Sequence, residues 1–231
     1  MALLNAAASD NGAGSTTLSV TVPSSTAGSC MLAFIGTHAT DVSSVTDNLA
    51  QTYTRAFVPG ANTEHSCVWT CKNSSAGVTS ITATLGISRA SVIFGVEESG
   101  INTTTPVDTS AFEAAPTSKA TWTSTATSVT SQANTIGYGF TATATGSNVS
   151  FADTSGGTAV TGTGITAGHH GNTTDGNDMF VSRQVYASAS AKTASGTNST
   201  AITAGSIVVL RVAGGGGGVG GQQNRLLLGV G

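Results

Sequence analysis

Apolar residues in this chain recur at every second position, and helical spacing is not seen. This property restricts the fold most. Alternation with period two turns one face of an extended segment inward and the other outward. In residues 16–22, Leu18, Val20 and Val22 share a face, and Pro23 with the Ser and Gly that follow ends the segment. Residues 30–36 differ, forming an unbroken apolar run from Cys30 to Gly36. Such a run predicts a strand buried on both faces.

Further strands are expected at residues 51–57, 64–72, 78–85, 91–97, 122–129, 135–141, 179–186 and 206–212, with short ones near Phe151 and Val160. In residues 135–141, Gly137 and Gly139 fall on one face, where a backbone or a large side chain can come close. Residues 99–121 hold Gly100, Pro106 and Pro116 and read as a long loop. Roughly ten strands with turn signals every 8–12 residues predict an all-β, antiparallel two-sheet β-sandwich. Gly, Ser and Thr make up roughly two fifths of the 231 residues, and Thr suits strands with a solvated face. The expected organisation is an N-terminal arm over 1–14, a sandwich domain over 15–213, a flexible Gly-rich linker over 214–221 and an apolar tail over 222–231.

Charge excludes several functions. Eight Lys and Arg against eleven Asp and Glu give a net charge of -3, which is no footprint for nucleic acid. No apolar stretch reaches the length of a membrane span. The opening Met1-Ala2-Leu3-Leu4-Asn5 lacks the basic and apolar regions of a secretory signal. No nucleotide-cradling loop and no nucleophile elbow occur, so neither a catalytic residue nor a cofactor is expected.

Candidate residues are few. Cys67 and Cys71 lie four strand steps apart, about 13 Å, beyond the ~7 Å that a disulfide spans. Cys30 can meet either of them across a sheet, so the three are buried thiols or a possible disulfide. His169 and His170, with Asp153, Asp175, Asn177 and Asp178, form the most polar cluster. Its spacing fits no Ca²⁺ loop, and Asp175-Gly176 reads as a turn, so no metal is expected. Glu97 and Glu98 are adjacent and would face opposite sides of a strand, unlike a glycosidase pair. Trp122, and less so Trp69, are candidates for stacking on a sugar. Asn-x-Ser/Thr triplets at Asn73, Asn102, Asn148, Asn172 and Asn198 reflect Ser/Thr abundance. Leu226, Leu227, Leu228 and Val230 lie beyond the glycines and would be sticky in water, which suggests docking to another chain.

The order of segments resembles jelly-roll-like sandwich proteins of tailed phages and bacteria. The strand around Val20 leads to the apolar run from Cys30. Then come Asp47-Asn48-Leu49-Ala50-Gln51-Thr52-Tyr53, the strand Cys67-Val68-Trp69-Thr70-Cys71 and the strand from Val78. In that group an Asp-x-x-Gly-x-x-Tyr turn precedes a Trp-bearing strand; here Ala50 replaces the glycine. The resemblance covers roughly residues 15–213 and carries over no catalytic residue. It implies a non-enzymatic virion protein, assembled in the host cytoplasm, that decorates or cements a capsid or builds a neck or tail fibre. Its expected partners are copies of itself and other virion proteins, without nucleic acid or membrane. The alternative is a carbohydrate-binding module that attaches to surface glycans.

Overall fold

A computed structural model describes residues 1–12, 14–38, 42–57, 64–113, 117–143, 150–171 and 177–214. Among these residues there is no helix, and sixteen strands follow one another. They are β1 (Ala2–Asp10), β2 (Ser15–Thr21), β3 (Cys30–His38), β4 (Val42–Asp47), β5 (Thr54–Phe57), β6 (Glu64–Cys71), β7 (Ser80–Arg89) and β8 (Ser91–Ser99). The second half holds β9 (Val107–Phe112), β10 (Thr117–Thr123), β11 (Thr135–Thr143), β12 (Phe151–Asp153), β13 (Thr158–Ala159), β14 (His169–Gly171), β15 (Asp178–Tyr186) and β16 (Ser195–Leu210).

The expected antiparallel sandwich forms, but with three sheets in place of two. A central sheet has the order β1-β8-β3-β6-β5. On one side lies a three-stranded sheet, β2-β7-β4. On the other lies a larger sheet, β10-β16-β11-β15-β13, with β9 and β12 also on β16 and β14 on β15. The unbroken apolar run of β3 is the reason for the third layer. Cys30, Leu32 and Phe34 point into the core shared with the large sheet. Met31, Ala33 and Ile35 point into the core shared with the three-stranded sheet. All six are 0–1% exposed, so both faces of β3 require a partner layer.

The large core is aromatic. Phe34 meets Tyr138 at 5.3 Å and Phe140 at 5.2 Å between ring centroids. The smaller core depends on a close approach at Gly95 of β8. A Cβ there would meet Val22 Cγ1 at 2.6 Å and Val20 Cγ1 at 3.1 Å. A third cluster lies on the far face of the large sheet. It gathers Ala111, Trp122, Phe180, Ala194, Ile207 and Val209, with Tyr186 partly buried against them. The glycine face expected on β11 opens here: the Tyr186 ring packs against Gly137, and Trp122 and Ala194 pack against Gly139.

Three segments depart from the sequence reading. Residues 1–14 are not a detached arm, since β1 pairs with β8 from Ala2↔Ser99 to Asp10↔Val92. The loop expected over 99–121 contains β9 and most of β10, recruited by the sixteen-residue strand β16. The strand expected over 122–129 ends at Thr123. Beyond it, the amides of Ser124, Thr127 and Thr130 bond to the carbonyls of Ala194, Lys192 and Ser190.

The central sheet ends on one side at β1, whose outer edge is covered. Ala8 N–H donates to Thr163 O at 2.9 Å, and Thr163 N–H donates to Ala6 O at 3.1 Å. Covering an edge in this way blocks edge-to-edge pairing. On the other side the sheet ends at the short strand β5.

Candidate functional site

Acidic side chains are where hydrolytic chemistry would be sought, and among the described residues Glu97, Glu98, Asp47, Asp108 and Asp153 serve as locks. Glu98 of β8 is fully buried between the central and large sheets. Tyr138 of β11 donates to its Oε2 at 2.5 Å. Arg183 of β15 donates from Nε at 2.7 Å and Nη2 at 2.8 Å, a bidentate clasp. Burial first, and then the Glu98 charge, push the Tyr138 hydroxyl well above its ordinary pKa. The Glu98 hydrogen bonds raise that of Arg183. Adjacent Glu97 faces the other way and accepts from Asn5 Nδ2 at 2.5 Å and Thr26 N–H at 2.6 Å.

Three further carboxylates follow suit. Asp47 accepts from the amides of Leu49 at 2.9 Å and Gln51 at 3.1 Å, and so shapes the turn before Tyr53. Asp153 accepts from the amides of Ser155 and Gly157, both at 2.8 Å, and from Ser182 Oγ at 2.6 Å. Asp108 accepts from Ser131 N–H at 2.8 Å, Ser131 Oγ at 2.6 Å and Arg211 Nε at 3.0 Å. Burial alone would raise its pKa, but the Ser131 and Arg211 bonds together outweigh burial and hold it below the ordinary value.

The histidine pair is divided between two contacts. His170 Nε2 lies 3.1 Å from Asp10 Oδ2, and its Nδ1 lies 2.6 Å from Gly164 O. His169 Nε2 lies 3.5 Å from Asp178 Oδ2. Among the described residues no three His, Cys, Asp or Glu side chains converge on a point where a metal could sit. Asp175 falls outside the described residues.

Trp122 cannot serve as a sugar platform. It is fully buried, with its ring centroid 5.8 Å from that of Phe180. A ring of this size goes inside because residues 190–194 run alongside 124–130 and roof the outer face of the large sheet. Trp69 is half-buried, and the Arg55 guanidinium stacks on it at 4.9 Å. The three cysteines are buried free thiols. Cys30 belongs to the core facing the large sheet, whereas Cys67 and Cys71 face the three-stranded sheet. The sheet therefore separates Cys30 from both, and no disulfide joins them. Burial raises the Cys30 pKa to about 12 and that of Cys71 to about 11. Leu226, Leu227, Leu228 and Val230 lie outside the described residues.

Three open depressions lie among the described residues. One, of about 340 Å³, lies over His169 and His170. Another, of about 440 Å³, lies between Leu3 and residues 156–161, with Arg183 in its wall. The Arg183 charge there is already met by Glu98. The third is a groove of about 300 Å³ between β5 and the segment entering β9, lined by Thr54, Ala56, Thr70, Lys72, Thr104 and Val107 among others. Lys72 Nζ donates to Thr104 O across it at 3.0 Å. Sequence reading missed the Glu98–Arg183–Tyr138 lock. The one local signal was an Arg two positions beyond the apolar Met179-Phe180-Val181, within one strand. No family model matches the chain, and neither do the curated proteins or the solved structures.

Proposed function

We propose that this chain is a non-enzymatic structural protein of a phage particle, which decorates or cements the capsid or forms part of a neck or tail fibre. In this reading copies associate through Leu226, Leu227, Leu228 and Val230. The observation that carries it is the use of the carboxylates. Glu97, Glu98, Asp47, Asp108 and Asp153 each bind strands or turns of the chain itself. Acidic groups spent on rigidity suit a building block better than a catalyst. Two features of the sequence support the particle setting: the segment order that resembles phage sandwich proteins, and the leucines beyond the glycine run. Of the two rings on which the glycan-binding alternative rested, Trp122 is buried and Trp69 is half-buried.

Deleting residues 214–231 tests the reading. We expect the shortened chain to lose self-association in sedimentation velocity and to drop out of assembled particles. Unchanged assembly would overturn self-association through this tail.

A further inference from the structure

The groove beside β5 is where the main core reaches the surface. Ala56 of β5 and Val107 of β9 are partly buried and pack against that core from its rim. Both also line the groove, beside buried Pro106 and Thr70. Here the central sheet ends at its short last strand, and the large sheet contributes β9. The opposite side of the central sheet is closed by Thr163.

The last described residues of the chain pair with the segment that leads into this groove. Arg211 N–H donates to Pro106 O at 2.8 Å, Asn102 N–H to Arg211 O at 2.9 Å, and Ala213 N–H to Gly100 O at 2.8 Å. Arg211 Nη1 reaches Thr105 Oγ1 at 3.0 Å. Residues 211–213 thus run antiparallel to residues 100–106, from the groove wall at Pro106 towards Gly100. From Gly214 to Gly221 the sequence holds seven glycines and one valine, and the three leucines start at position 226. An extended chain spans at most about 3.3–3.6 Å per residue, so the twelve residues from 214 to 225 reach at most roughly 40 Å. That length carries the leucines back to this side of the molecule or onto a copy packed against it.

We infer that this groove receives Leu226, Leu227 and Leu228 of a second copy of the chain. The inference rests on the self-association proposed above and names its receptor. Donor and receptor are different surfaces, so the contact is head-to-tail. Such contacts close into rings or run on as filaments, the two forms a shell fitting or a fibre needs. The leucines would extend the main core past Ala56 and Val107.

Cross-linking the full chain tests this. A photoreactive p-benzoylphenylalanine is placed at position 227, and isotopically heavy and light chains are mixed before illumination. Heavy-to-light cross-links on residues 54–56 and 104–107 are the expected result. Links to the groove within one copy alone would overturn the second-copy assignment. Heavy-to-light links elsewhere would overturn the groove and leave self-association standing. A monomeric chain without links would overturn both. A second variant, Thr104→Arg, fills the groove from an exposed position and should weaken self-association at least tenfold, with an unchanged melting temperature. Unweakened association would count against the groove.

Discussion

A buried carboxylate persists only when its charge is met, and Glu98 has two partners for one charge. Removing Arg183 leaves that charge in the core. We expect Arg183→Ala to cost about 3–5 kcal/mol in denaturant unfolding. The double variant Glu98→Gln with Arg183→Ala should recover part of this, because neutral Gln still accepts from Tyr138. Equal losses in the single and double variants would mean that packing, not charge, holds the site. Ala50 shows strain of another kind. Its φ of 55° lies in the left-handed region, where a side chain clashes. Relief of about 1–2 kcal/mol is partly offset by the greater unfolded freedom of glycine, about 0.4–1 kcal/mol. Ala50→Gly should therefore raise the midpoint of unfolding slightly, and a loss of stability would show that Ala50 packs in a way its backbone angle does not reveal.

Elements in this protein are held by cross-links between side chains distant in sequence. Asp108 of β9 joins Arg211, just beyond β16, to Ser131 of the 124–134 connection. Its folded pKa is lowered from the ordinary 3.8. A carboxylate depressed on folding stabilises fully above its unfolded pKa, and that contribution fades as pH falls through the folded value. The stability gap between the natural chain and Asp108→Asn should therefore be constant above about pH 5 and shrink below the ordinary carboxylate value. A gap that stays constant into acid would place the effect in the geometry of the connection instead. Strands with local signals were legible in sequence: the alternation of Leu18, Val20 and Val22 and the apolar run of β3 both foretold their burial. β1 was not, because its Ala-rich segment has little strand preference of its own and is extended by pairing with β8. β9 and β10 were hidden in the same way, behind Pro106, Pro116 and their polar sequence, and pairing with β16 forms them.

At the scale of the whole molecule, period-two patterning says that a face is buried but not which layer covers it. A strand buried on both faces was therefore legible in β3, while the count of three sheets was not. The buried site was equally opaque, since Glu98 and Arg183 lie 85 positions apart and nothing local joins them. The layering itself has a consequence for unfolding. β3 and β8 supply residues to the cores on both sides of the central sheet. Losing either outer sheet would expose one face of both strands, so the layers should unfold together. The two tryptophans of the chain sit on opposite sides of the central sheet. Trp69 borders the core under the three-stranded sheet, and Trp122 lies on the far face of the large sheet. Trp69→Phe and Trp122→Phe each leave one reporter. Trp122→Phe is the more destabilising of the two because its ring is wholly buried, so the comparison belongs within each variant. In both, the guanidinium unfolding curve from fluorescence should superimpose on that from far-ultraviolet circular dichroism. A fluorescence transition preceding the dichroism in one variant alone would show that its layer peels off first, and that the shared central sheet does not couple the two cores.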